Sequence, residues 1–119
     1  MKGKMANTFK VVTKAGVTSE DIIYTVASST TTVILGLVLG NTTSSQTTVT
    51  VTLSSDTSNR AGGNDEANQD VELVTNAPIP AGSSLEMLAG NKVVMETTDV
   101  LKVTGSGATD VVLSIMEIT

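Results

Sequence analysis

Residues 46–55 read QTTVTVTLSS, and the alternation in that stretch decides the fold class. Val49, Val51 and Leu53 share one parity, while Thr48, Thr50 and Thr52 share the other. A pleated strand throws successive side chains to opposite faces, so this period-2 pattern gives one aliphatic face and one hydroxyl-bearing face. Valine and threonine are both branched at Cβ, stiff at χ1 and suited to a pleated surface. The stretch is a half-buried strand.

Working outward, the same reading applies along the rest of the chain. FKVVTKAGV (9–17), DIIYTVAS (21–28), VILGLVLG (33–40) and DVELVTN (70–76) are strand candidates. So are LEMLA (85–89), KVVME (92–96), DVLKVTG (99–105) and DVVLSIMEI (110–118). Clusters such as GNTTSS, PIPAGSS and GSGATD separate them; Gly and Asn supply positive φ there, and Ser, Thr and Asp bond back to local amides. No ten-residue stretch keeps the 3.6-residue period of an amphipathic helix. About eight or nine short strands at this spacing predict an all-β, single-domain antiparallel β-sandwich, Ig-like or jelly-roll-like. The expected layout is a flexible N-terminal arm over 1–8 and a sandwich over 9–119. A long polar loop is expected over 54–70, where SSDTSNRAGGNDEANQD carries no large apolar residue.

The apolar run at 33–40 is far shorter than the roughly 20 residues of a membrane helix and sits between threonine clusters. It reads as a strand apolar on both faces. Strict alternation puts Val33, Leu35, Leu37 and Leu39 towards the core. Ile34, Gly36, Val38 and Gly40 then need cover from a loop, the arm or another subunit. In NAPIPAGSSLEML (76–88), Pro78 and Pro80 fix φ near −65° and push Ala77 and Ile79 towards extended geometry. Neither proline can donate to a ladder, so the segment is expected to be a stiff crossing between sheets that blunts an edge, with Ile79 plugging it. The candidate partner interface comprises Lys2, Lys4 and Met5 of the arm, Phe9 at its end, Ile34 and Val38, and Ile79 in the corner.

Composition excludes much of the usual chemistry. The sequence has no His, Cys or Trp, so the common zinc sites, thiol nucleophiles and Ser-His-Asp triads have no residues to work with. The carboxylate neighbours Glu20 and Asp21 face opposite ways on a strand, and Asp65 and Glu66 fall in the polar loop. Asn64, Asp65, Glu66, Asn68, Gln69 and Asp70 offer oxygen ligands, but their spacing matches neither an EF-hand nor a calcium β-roll, so the loop reads as solvated. No metal, cofactor or catalytic residue is assigned, and no enzymatic activity is expected. The net charge of −5, with seven scattered basic residues, argues against nucleic acid as a partner. MKGKMANTFK has no apolar run behind its lysines, so no signal peptide and no membrane partner are expected.

Three stretches carry a resemblance: VILGLVLGNTTSSQTTVTVTL (33–53), NAPIPAGSSLEMLAGNKVVMETTDVLKVT (76–104) and DVVLSIMEI (110–118). Together they resemble small virion structural proteins of tailed bacteriophages of marine and cyanobacterial hosts. Pro78, Pro80, Gly82, Ser83 and Leu85 match that family's corner. Lys92, Val93, Val94 and Glu96 match its hairpin, and Glu117 and Ile118 its closing strand. The loop over 54–70 is longer than the family's, and METTD (95–99) replaces a glycine turn. The resemblance implies a non-enzymatic capsid decoration, or cement, protein bound to the major capsid protein lattice. Its setting would be the virion, assembled in the host cytoplasm, and its state a homo-oligomer, with a trimer favoured. A tail, neck or baseplate component is the alternative. A carbohydrate-binding module for host glycans is a further one, weakened by the single tyrosine and absent tryptophan.

Overall fold

The computed structural model describes residues 6–56, 69–88 and 92–119. Every regular element among them is a β-strand. In chain order these are β1 (Asn7–Val17), β2 (Glu20–Thr25), β3 (Thr31–Asn41), β4 (Thr47–Ser55), β5 (Gln69–Ile79), β6 (Ser84–Met87), β7 (Val93–Met95), β8 (Val100–Gly105) and β9 (Thr109–Ile118). Each predicted strand is present, and the two antiparallel sheets pack together as a sandwich.

One sheet has the order β1-β9-β3-β6, with β7 also on β3, and the other has β2-β8-β4-β5. The pairing follows one rule. β1 pairs with β9, β2 with β8, β3 with β6 and β7, and β4 with β5. The chain is thus one long antiparallel hairpin, with its tip between β4 and β5, rolled up so that alternate segments fall in opposite sheets. That is the jelly roll rather than the immunoglobulin arrangement.

The layer between the sheets is almost entirely apolar and has no aromatic ring among its fully buried side chains. Ile34, Leu37 and Leu39 of β3 meet Val49 and Val51 of β4, Leu101 and Val103 of β8 and Val111, Leu113 and Ile115 of β9, all buried. Each such side chain contributes about 1.5–3 kcal/mol when removed from water. On β4, Val49 and Val51 point inward with Leu53 packed against them, while Thr48 and Thr50 are half-buried on the other face. Thr52 lies outward too, yet its neighbours cover it almost completely.

Strict alternation fails on β3. The register against β9 shifts between Ile34 and Gly36, so Leu35 is the extra residue of a β-bulge. Phase reverses across it: Thr32 and Ile34 point inward before the bulge, and Leu37 and Leu39 after it. Ile34 is therefore a core residue, 0% exposed, and not part of an outer face. Val33, expected in the core, takes its place outside.

The proline corner crosses between sheets as expected. β5 runs on past Asn76 to Ile79 as an edge strand, with Pro78 opposite Thr48, where its missing N–H costs no ladder bond. The chain then turns through Gly82, at φ 69°, and enters β6 in the other sheet. Ile79 is 1% exposed, so it seals the core and is withdrawn from the interface.

A buried amide secures this corner. Asn41 Nδ2 donates to the carbonyls of Ile79 and Ser45, both at 2.8 Å, and to that of Pro80 at 3.2 Å. Its Oδ1 accepts from Thr43 N at 2.9 Å and Thr43 Oγ1 at 2.8 Å. The end of β3 thereby grips the corner and the turn into β4 together.

Two boundaries shift. The arm is shorter than expected: Asn7 and Thr8 belong to β1, and Ala6 exchanges backbone bonds with Thr119. The polar loop is shorter at both ends, because Ser54 and Ser55 lie in β4 and Gln69 and Asp70 in β5. Lys2, Lys4, Met5, Asn64, Asp65, Glu66 and Asn68 lie outside the described residues.

Candidate functional site

The registers place a largely apolar surface on the outside of the five-stranded sheet. Phe9 lies opposite Met116, Met116 opposite Val33, and Val33 opposite Val94, forming a row across β1, β9, β3 and β7. A second row runs Thr13, Val112, Val38 and Glu86 across β1, β9, β3 and β6. Val11, Ser114 and Gly36 lie between them. Cross-strand neighbours of this kind touch on a pleated surface, so the rows form one patch.

Exposure makes the patch unusual. Among the described residues seven large apolar side chains are exposed, and five of them are here: Phe9 (71%), Val11 (63%), Val94 (52%), Val112 (40%) and Val38 (36%). The other two, Ile22 and Val71, lie far apart on the opposite edge strands β2 and β5. A Cβ built on Gly36 would meet nothing within 4 Å, so the floor between the rows is open. These fractional exposures correspond to on the order of 500 Å² of apolar surface, at the upper end of what a monomer shows without using it.

The outer face of the four-stranded sheet is different in kind. There Thr50 lies opposite Thr104, Thr52 opposite Lys102 and Glu72, and Glu20 opposite Thr104. Hydroxyls and charges cover it, as the sequence of β4 anticipated. Among the described strand residues, the outer face of the four-stranded sheet is thus mostly polar, with Ile22 exposed on it, and the outer face of the five-stranded sheet is mostly apolar, with Glu86 and Asp110 near one end.

Of the predicted interface residues, the structure brings Phe9 and Val38 onto this one surface and buries Ile34 and Ile79 beneath it. It adds Val11, Val33, Val94, Val112 and Met116. Their signal was present in the sequence: FKVV and VVLSIM are apolar on both parities, which a one-sided strand does not need.

A polar cluster ties the sheets together at one end. Tyr24 of β2 donates its hydroxyl proton to Glu117 Oε2 of β9 at 2.6 Å, and Thr32 Oγ1 of β3 lies 2.7 Å from the Tyr24 hydroxyl oxygen. With the Tyr24 proton committed to Glu117, Thr32 is the donor in the second bond. Lys10 Nζ of β1 sits 2.9 Å from Glu117 Oε1. Burial first, and then the bond to Glu117, pushes the Tyr24 hydroxyl up from 10.0 to about 12. The Tyr24 bond, helped by Lys10, holds the Glu117 carboxyl below its ordinary value. Every polar group in the cluster is consumed by its neighbours, which makes it a fastening. Among the described residues, no three Asp or Glu side chains converge on a position fit for a metal ion.

Comparison with known proteins adds one likeness. No family model matches the chain, and no curated protein matches it. Among solved structures, it is similar to a chain from a study titled "Bacillus endospore appendages form a novel family of disulfide-linked pili". The two are 14% identical with a TM-score of 0.51, over 100% of this chain and 91% of that one. At this identity the likeness concerns the fold alone.

Proposed function

We propose that this protein is a non-enzymatic structural subunit that works by adhering to other protein surfaces, and more finely a capsid decoration protein of a tailed-phage virion. The observation that carries the reading is the one-sided sandwich. An apolar face of this extent with charge only near one end suits burial against a protein lattice, while the threonine-rich opposite face suits water. The family resemblance of residues 33–53, 76–104 and 110–118 supports the virion setting and the major capsid protein as partner. The whole-length likeness to a pilus chain supports a structural role in general.

The test is binding to capsids stripped of this protein, together with its copy number in virions by quantitative mass spectrometry. Val38→Lys and Val112→Lys place charge in the middle of the face at exposed positions, and each is expected to weaken capsid binding at least tenfold without unfolding the domain. Decoration predicts hundreds of copies per particle. A dozen or fewer points instead to the tail, neck or baseplate, and capsid binding unaffected by either lysine refutes the assigned surface. The fold likeness favours one other reading, a fibre subunit. With no cysteine in this sequence such a fibre is held non-covalently, and electron microscopy of the concentrated protein shows filaments if it is correct.

A further inference from the structure

The two sheets have four edges among the described residues, and three of them are blunted. β2 is six residues long and breaks register between Ile22 and Tyr24. β5 carries Pro78, breaks register against β4 twice, and holds Asn76 at φ 49°. The remaining edge is divided between β6 and β7, of four and three residues. Short strands, bulges and proline are the means by which sheets avoid pairing with other chains. β1 has none of them over most of its length. It is eleven residues long, contains no proline, and stays in register with β9 from Asn7 to Lys14. Among the described residues its other side has no strand against it. Each of its two lysines has an acidic partner within the chain, Lys10 at 2.9 Å from Glu117 and Lys14 at 3.7 Å from Asp21, while both stay half-exposed and charged.

We infer that β1 pairs antiparallel with β1 of a second copy of this chain, joining two five-stranded sheets across a twofold axis. Charge narrows the register. Centring the pair on Lys10 sets lysine against lysine, and centring it on Val12 sets Lys10 against Lys14; like charges directly opposite are unfavourable. Centring it on Val11 sets Val11 opposite its own counterpart, Phe9 opposite Thr13, and Lys10 opposite Val12. No lysine then faces a lysine, since Lys14 meets Thr8, and aromatic against β-branched is a favourable match. A twofold axis normal to the sheet also keeps both apolar outer faces on the same side. The dimer therefore presents one continuous adhesive surface of twice the width. A contact of this symmetry makes dimers, not the trimer that the family resemblance favours.

Sedimentation equilibrium of the full chain, from micromolar to sub-millimolar concentration, tests this. The expected result is a reversible shift from 12.2 kDa to twice that mass. Val11→Lys sets like charges across the axis and is expected to weaken the dimer at least tenfold. Val38→Lys, on the same face but away from the edge, is expected to leave it unchanged. Amide hydrogen exchange in β1 should slow as concentration rises, whereas exchange in β2 and β5 should not. A monomer at all concentrations, a trimer, or equal loss with both lysine variants would overturn the inference. It is independent of the proposed function: a monomer that still coats capsids sinks the dimer alone, and a dimer that ignores capsids sinks the decoration reading alone.

Discussion

Replacing Asn41 by alanine is the sharpest test of what holds the sandwich closed. Five hydrogen bonds leave with the carboxamide, and the three carbonyls it served belong to Ser45, Ile79 and Pro80. The Ile79 carbonyl is buried there, so it stays without that donor at a cost of about 1–3 kcal/mol, while the more accessible groups recover part of their loss from water. With about 1 kcal/mol for the remaining bonds, the expected destabilisation is about 2–4 kcal/mol. For a chain of this length, at about 2.1 cal/mol/K of unfolding entropy per residue, that lowers Tm by about 8–16 °C. Urea unfolding followed by far-ultraviolet dichroism, with calorimetry for Tm, reads both numbers. Asn41→Asp sharpens the test, because it keeps the shape but turns acceptors towards three carbonyls. At neutral pH it should cost at least as much as alanine and recover partly in acid, as the carboxyl gains a proton. A loss under about 1 kcal/mol for Asn41→Ala would refute the claim that this amide secures the corner.

Four further outcomes follow from the same packing. Tyr24 is the sole tyrosine in a chain without tryptophan, so spectrophotometric titration reads it alone; the midpoint should fall from about 12 folded to near 10 in denaturant. Because its folded value is raised, its share of stability is intact below pH 10 and is lost as pH climbs towards 12, which urea midpoints above pH 10 will show. Glu117 runs the other way: its share is present above the ordinary carboxylate range and lost in acid, and Tyr24→Phe should shrink that acid loss. Thr47→Val removes a buried hydroxyl that has no hydrogen-bond partner, and should raise stability by about 1 kcal/mol in urea unfolding; a loss would show an unseen partner. Gly105→Ala would bring a Cβ within 2.6 Å of the Val17 carbonyl oxygen and 2.9 Å of Thr109 Oγ1, and is expected to cost more than about 2 kcal/mol by the same assay.

The strands were legible because their cause is local. Branched side chains and period-2 alternation act within five or six residues, and Gly, Asn and Pro punctuate them. What sits opposite what is not local, so sequence alone left jelly roll and immunoglobulin sandwich both open. Ile34 was placed on the wrong face for a related reason: the bulge at Leu35 is set by the register against β9, some eighty residues away. Asn41 read as turn punctuation after an apolar strand, because nothing beside it announces that its amide reaches the Ile79 carbonyl. Of the apolar outer patch, Val38 was legible as a residue needing cover and Phe9 as a candidate partner contact. Val11, Val112 and Met116 were overlooked, since a doubly apolar strand such as β9 looks like a core strand until its outer neighbours are known.

The mirror-order pairing has a consequence for how the protein comes into being. β9 is the last strand made, yet it lies between β1 and β3 in the interior of its sheet. While the ribosome is still extending the chain, those two strands have an empty lane between them, and their aliphatic inner faces lack a wall. The domain cannot close strand by strand as it emerges; it must wait for its final segment to slide into place, which makes folding slow for its size and leaves sticky intermediates exposed. A nascent chain stalled before residue 109 should therefore be held by chaperones or lost to aggregation, and release of Thr109–Ile118 should commit the whole sandwich at once.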